Sequence, residues 1–410
     1  MVEGPLIAAV RSGDAEAVRG LLAVGADPDA VDGTGTPALC LAVDAFDLAV
    51  AEELAYEARL DRRGPDGRTP LLRAIDRGAF DIVTMLIGRG AQLWHEDAEG
   101  RDALALARYW HESGAVAELC RRSGASGPVG CRVVRSESGT TCEELSLGDL
   151  AVRAAHTAIL TMLEPKYGIT PSFDELMSRA LAEPDVGHEV WWATTSALQQ
   201  RQDRAVWEAA ATLRHHPDPL ARYFGASLLH LVVLLDESED ESFDESIVDQ
   251  LLPWAEQEEN LQVMRALAAG LAAAFDPRAE QPLPALTRHP DPEVRQRAIS
   301  GLHGQVSKGN PEALAAITTC TQDTDATVRE AACRALGNAP AHLPGPANTL
   351  AACLADEREG IRMTAAVRLA LRDDPRGDEV LRDCDAVDQG SPYYWDLLDV
   401  WRHQTLNTAG

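Results

Sequence analysis

At 410 residues, with 45% apolar and 25% charged residues, the chain is long enough for two or three domains and apolar enough to fill their cores. Its formal net charge of −28 opposes nucleic acid and anionic membrane as partners, since both require Lys and Arg to displace counterions. Aromatics make up only 5% while Ala and Leu prevail, which predicts thin layers of short helices and an all-α fold.

The first residues, Met1-Val2-Glu3, carry no basic segment and no long apolar run. No export signal is expected, and the expected location is cytoplasmic. A repeat starts immediately. Residues 67–93 read "GRTPLLRAIDRGAFDIVTMLIGRGAQL"; 33 residues earlier, 34–60 read "TGTPALCLAVDAFDLAVAEELAYEARL", and Thr36-Pro37 matches Thr69-Pro70. An earlier copy spans 4–32, and a degenerate fourth begins at "GRDALALARYW". In each unit Thr36 or Thr69 is placed to cap a helix whose first-turn Pro costs no hydrogen bond. Gly13 or Gly78 ends that helix, and Gly25 or Gly90 ends a second one in the left-handed conformation. One such unit cannot bury its apolar side alone, but stacked copies can. The period, with "TPLL", "DIVTMLI" and "GADPD", resembles the ankyrin repeat over residues 3–123. The resemblance implies a solenoid domain at 1–124. Leu39 and Leu72 stand where that family's T-P-L-H has His, so the loop-bracing bonds of that His must be absent.

Residues 125–146, "ASGPVGCRVVRSESGTTCEELS", interrupt the pattern with Gly, Ser and Thr. They read as a poorly packed linker with a small hairpin at "CRVVRSESGTTC". Cys131 and Cys142 flank its polar turn and could bridge or stay reduced. None of the eight cysteines forms a C-x2-C pair, so zinc ribbons and redox motifs are not expected. Ser146 and Asp149 read as a capping box opening a helix over 147–163.

Beyond this lies a second repeat. Residues 290–302, "PDPEVRQRAISGL", return at 323–336 as "DTDATVREAACRAL". Aligning on the Arg gives Arg222, Arg295, Arg329 and Arg362, with Trp191 and Met264 in the same place in two weaker copies. Helical stretches such as "DRAVWEAAATLRHH" lie between, so each unit is a helical hairpin whose second helix Asp218 or Asp291 caps, with Pro219 or Pro292 in its first turn. The pattern "DPEVRxxAxxxL" resembles the HEAT repeat of bacterial solenoid proteins over about 172–371, within an array expected at 147–403. The resemblance implies that Asp218, Arg222, Asp291, Arg295, Asp325 and Arg329 brace successive units. The repeated helix is therefore expected to be architecture.

No phosphate loop, dinucleotide fingerprint, H-E-x-x-H, EF-hand loop or nucleophile elbow is present in the sequence. His215-His216 reads as a helix end, and the acidic run 236–246 as a solvated insert or a docking strip for a basic partner. The residue after the Arg position should face outward from each second helix. Trp192 and Tyr223, with neighbouring Phe224, then make a candidate anchor patch. Arg265 and Arg297, with Asp240 and Glu241 of the acidic run, complete the candidate partner-binding residues. The sequence thus points to a non-catalytic adaptor or scaffold for a protein or peptide, in one variant an acidic inhibitor or immunity protein of a basic partner. No cofactor and no metal are expected. The alternative is a solenoid that binds a small molecule or peptide substrate in the HEAT groove.

Overall fold

The computed structural model describes residues 4–125, 127–235, 242–382, 391 and 393–408. Apart from one small sheet these residues are helical, and the chain divides into two compact units, 1–201 and 202–410. Among them no helix is long and apolar enough to cross a membrane.

The first unit begins with four helical hairpins: α1 (Pro5–Ser12) with α2 (Ala15–Ala23), α3 (Ala38–Asp44) with α4 (Leu48–Ala55), α5 (Pro70–Arg77) with α6 (Phe80–Gly88), and α7 (Ala103–Ser113) with α8 (Ala115–Ser123). Gly13 and Gly78 end α1 and α5 at φ 71° and 68°, as the repeat pattern predicts. Thr69 caps α5 by accepting from Leu72 N. Thr36 does not cap α3, which starts only after Pro37; its backbone N–H instead donates to Asp32 Oδ1. Asp32 also accepts from Thr34, and Asp97 holds the corresponding later loop through the N–H groups of Glu99 and Arg101. An aspartate thus braces the loop before Leu39, and another the loop before α7.

The stretch expected as a linker is ordered structure. β1 (Gly130–Arg135), β2 (Thr141–Leu147) and β3 (Leu150–Arg153) form an antiparallel sheet in that order. Cys131 lies opposite Leu145 and Cys142 opposite Val134, so these two thiols do not face each other; both are free. The expected helix start at 147 is corrected. Leu145 and Leu147 alternate with exposed Ser146, and Gly148 at φ 61° turns the chain into β3, so α9 begins only at His156 and runs to Leu163. The sheet packs on α5 and α8. A Cβ at Gly78 would stand 2.0 Å from Arg153 O, which shows how closely the backbones approach. His156, fully buried, stacks on Trp110 with ring centroids 4.3 Å apart. Helices α10 (Phe173–Leu181) and α11 (Glu189–Gln199) complete this unit. The first weak copy of the Arg-type repeat therefore belongs to the ankyrin-bearing unit, and the units do not part at 125–146.

The second unit is a stack of hairpins: α12 (Arg204–Thr212) with α13 (Pro219–Leu234), α14 (Ser242–Ala255) with α15 (Leu261–Ala273), and α16 (Leu283–Leu286) with α17 (Pro292–Gly301) and the short α18 (His303–Ser307). Then follow α19 (Pro311–Cys320) with α20 (Ala326–Gly337), and α21 (Pro344–Cys353) with α22 (Glu359–Ala370). Helices α23 (Pro375–Leu381) and α24 (Tyr394–Thr408) close it. The second helices α13, α15, α17, α20 and α22 pack in sequence, each on the next.

Candidate functional site

The recurring arginines are a ladder, with a different set of partners from the one the repeat pattern implied. Arg295 Nε and Nη2 donate to Asp323 of the following hairpin at 2.8 and 2.6 Å, while Nη1 donates to the carbonyls of His289 and Pro290. Arg329 repeats this on Asp356, and Arg222 on Glu258. Asp218, Asp291 and Asp325 cap their own helices instead. The acceptor stands two residues before the cap, where it also takes the N–H of the capping residue; Asp323 does so from Asp325 N at 2.8 Å.

His289 occupies that place in the third hairpin, accepting from Asp291 N through Nδ1. The preceding Arg position is then Met264, and its neighbour Arg265 reaches the capping Asp291 at 2.6 and 3.1 Å. The break in the sequence pattern is a matched change of both partners. Hydrogen bonds from Arg265 hold the Asp291 carboxyl below its ordinary range, and those from Arg329 do the same to Asp356. Burial would raise Glu258, but donation from Arg222, Asn260 N and Trp254 outweighs it.

The expected anchor patch loses Phe224. Phe224 is fully buried on α13 and belongs to the core. Trp192 is 47% exposed but lies on α11 of the first unit, whereas half-buried Tyr223 lies on α13 of the second. Arg265 belongs to the ladder. Arg297 is half-exposed on α17, 3.5 Å from Glu293. Asp240 and Glu241 lie outside the described residues.

A different place is concave. A cleft of about 530 Å³ opens between α12 and α14, with Trp207, Ala211, Leu229 and Ile247 as its apolar lining. Arg204, Glu208, Arg214, His215, Asp249 and Gln250 line it with polar groups. A Cβ at Gly225 would meet Ala210 O at 2.6 Å and Trp254 at 3.2 Å, so both outer helices seat hard on α13 at this point. A second cleft of about 410 Å³ adjoins the first through Arg214 and His215 and is walled by Trp254 and the Arg222–Glu258 pair. Arg214 Nε donates to His215 Nε2 at 2.9 Å, and His216 Nδ1 accepts from Asp218 N. His216 thus serves the turn, while exposed His215 stands at the mouth of both clefts. The sequence signal for this place was Trp207 amid alanines in "DRAVWEAAATLRHH", a large ring in a helix of small residues.

Residues 6–97 match the family described as ankyrin repeats (3 copies), and residues 248–337 and 279–370 match that of HEAT repeats. The chain carries ankyrin repeats followed by HEAT repeats. Both are helical solenoid repeats, typically without catalytic activity, and they support a general role as a protein-interaction scaffold. Among solved structures, the X-ray structure of YIBA_ECOLI, an Escherichia coli protein, is 16% identical with a TM-score of 0.45, covering 56% of this chain and 80% of its own. No curated protein matches.

Proposed function

We propose that the protein is a non-catalytic adaptor that holds a peptide segment of a protein partner in the cleft between α12 and α14. The observation that carries this reading is the cleft itself: an open volume with a Trp207–Leu229–Ile247 lining and a polar rim. Such a site takes one apolar anchor side chain and fixes the flanking backbone by hydrogen bonds from the rim. The formal charge of −28 favours a basic partner, steered by long-range attraction.

Affinity capture with wild type and Thr212→Trp tests it. Thr212 is exposed and lines the cleft, so the indole fills the space without entering the core. Proteins captured by wild type should be lost from the variant at unchanged melting temperature. An identical captured set would refute the cleft as the docking place.

A further inference from the structure

We infer that Cys142, Glu143 and His188 form a binding site for a zinc-type divalent cation, which would pin strand β2 to the start of α11. Cys142 Sγ, a Glu143 carboxylate oxygen and a His188 ring nitrogen all lie within 4.8 Å of one another. Ligand atoms around tetrahedral zinc stand roughly 3.5 Å apart, so closing on the metal requires shifts of about an ångström. The backbone already holds the two ligand-bearing segments together: Thr141 N donates to Gly187 O at 2.8 Å, and Thr141 Oγ1 to Asp185 at 2.6 Å.

A second, independent observation is the state of the buried polar atoms. His188 is 1% exposed, yet its Nε2 makes no hydrogen bond; Glu143 Oε2 lies 3.3 Å away without the alignment for one. Neighbouring Glu189, also buried, leaves Oε2 without a partner. Buried polar groups are rarely left so unless an ion or water serves them. Metal binding would release the Cys142 thiol proton to solvent, leaving thiolate and carboxylate to balance the dication's charge.

Sulfur and imidazole select zinc over magnesium or calcium, and three protein ligands leave a fourth position for water. Two contacts oppose the site: the Cys142 thiol donates to Glu143 O at 3.6 Å, and His188 Nδ1 accepts from Val190 N at 3.2 Å, which places the ring proton on Nε2. Metal binding removes the thiol proton and moves the ring proton to Nδ1, so both hydrogen bonds are lost. Two neutral bonds are small beside the binding free energy of a thiolate-containing zinc site.

The test is Co²⁺ titration of the full-length reduced chain after chelator treatment. Wild type should develop a thiolate-to-cobalt charge-transfer band, saturating at one equivalent and bleached by Zn²⁺. Cys131→Ser, at an exposed thiol, should keep the band, and Cys142→Ser should lose it. Should Cys142→Ser fail to fold, Glu143→Gln at a half-buried position reads the same site through an affinity at least about tenfold weaker. Absence of the band in wild type, its survival in Cys142→Ser, or an unchanged affinity in Glu143→Gln would overturn the assignment.

Discussion

Replacing Arg295 by alanine removes two charge-assisted bonds to Asp323 and two bonds to the carbonyls of His289 and Pro290. The side chains of Arg295 and Asp323 are 11% and 12% exposed, so the pair is largely but not wholly withdrawn from water. Breaking a fully buried pair costs about 3–5 kcal/mol, and an exposed pair is worth about 0.2–1 kcal/mol. Asp323 keeps the Asp325 N–H, which softens its loss. The expected destabilisation of the second unit is therefore about 2–3 kcal/mol. Urea unfolding followed by far-ultraviolet circular dichroism, with hydrogen exchange on α17 and α20 to localise the effect, measures it. Asp323→Ala should lose less, because the freed guanidinium keeps its two carbonyls, and the double variant should show coupling. A loss under about 0.5 kcal/mol in Arg295→Ala would mean that the ladder is solvated and that apolar packing alone holds the layers.

Gly78→Ala should destabilise the first unit by about 3 kcal/mol or more, since the new methyl would overlap Arg153 O at a positive φ; a melting temperature near wild type would show that the sheet is not seated there. Burial pushes His156 down to about 4, from an ordinary 6.5. With the folded pKa depressed, the stability tied to its neutral ring is present above about pH 6.5 and lost as pH falls through 4; His156→Phe, which retains stacking on Trp110, should flatten that stretch of the stability profile. Arg265 and Arg329 hold Asp291 and Asp356 below their ordinary range, so the second unit should weaken as pH drops below the normal carboxylate values, with Arg265→Gln blunting the loss; a pH series of urea midpoints checks both.

The repeat architecture was legible because it is written in local chemistry. Gly13 and Gly78 need positive φ, and Asp218 and Asp291 cap helices, so their spacing fixes where helices start and stop. The sheet was not. β3 has only 4 residues, and Ser146 followed by Asp149 mimics a helix start; only tertiary pairing of Ser146 with Ala151 decides between the two. The ladder was half legible. The arginines stood out, but their acceptors Glu258, Asp323 and Asp356 differ in type and are displaced from the conspicuous capping Asp. Phe224 dropped out of the anchor patch because facing outward on a helix wheel does not establish exposure: it is fully buried on α13. The cleft was hidden because it is a space between α12 and α14, and a sequence names residues, not the gaps between them.

The central claim is that a partner segment docks between α12 and α14. The direct measurement is a calorimetric titration of the captured partner into wild type and Thr212→Trp at two ionic strengths. The account predicts an affinity at least about tenfold weaker in the variant, equivalent to about 1.4 kcal/mol, with wild-type binding weakening as salt rises. Equal affinities in wild type and Thr212→Trp would contradict it.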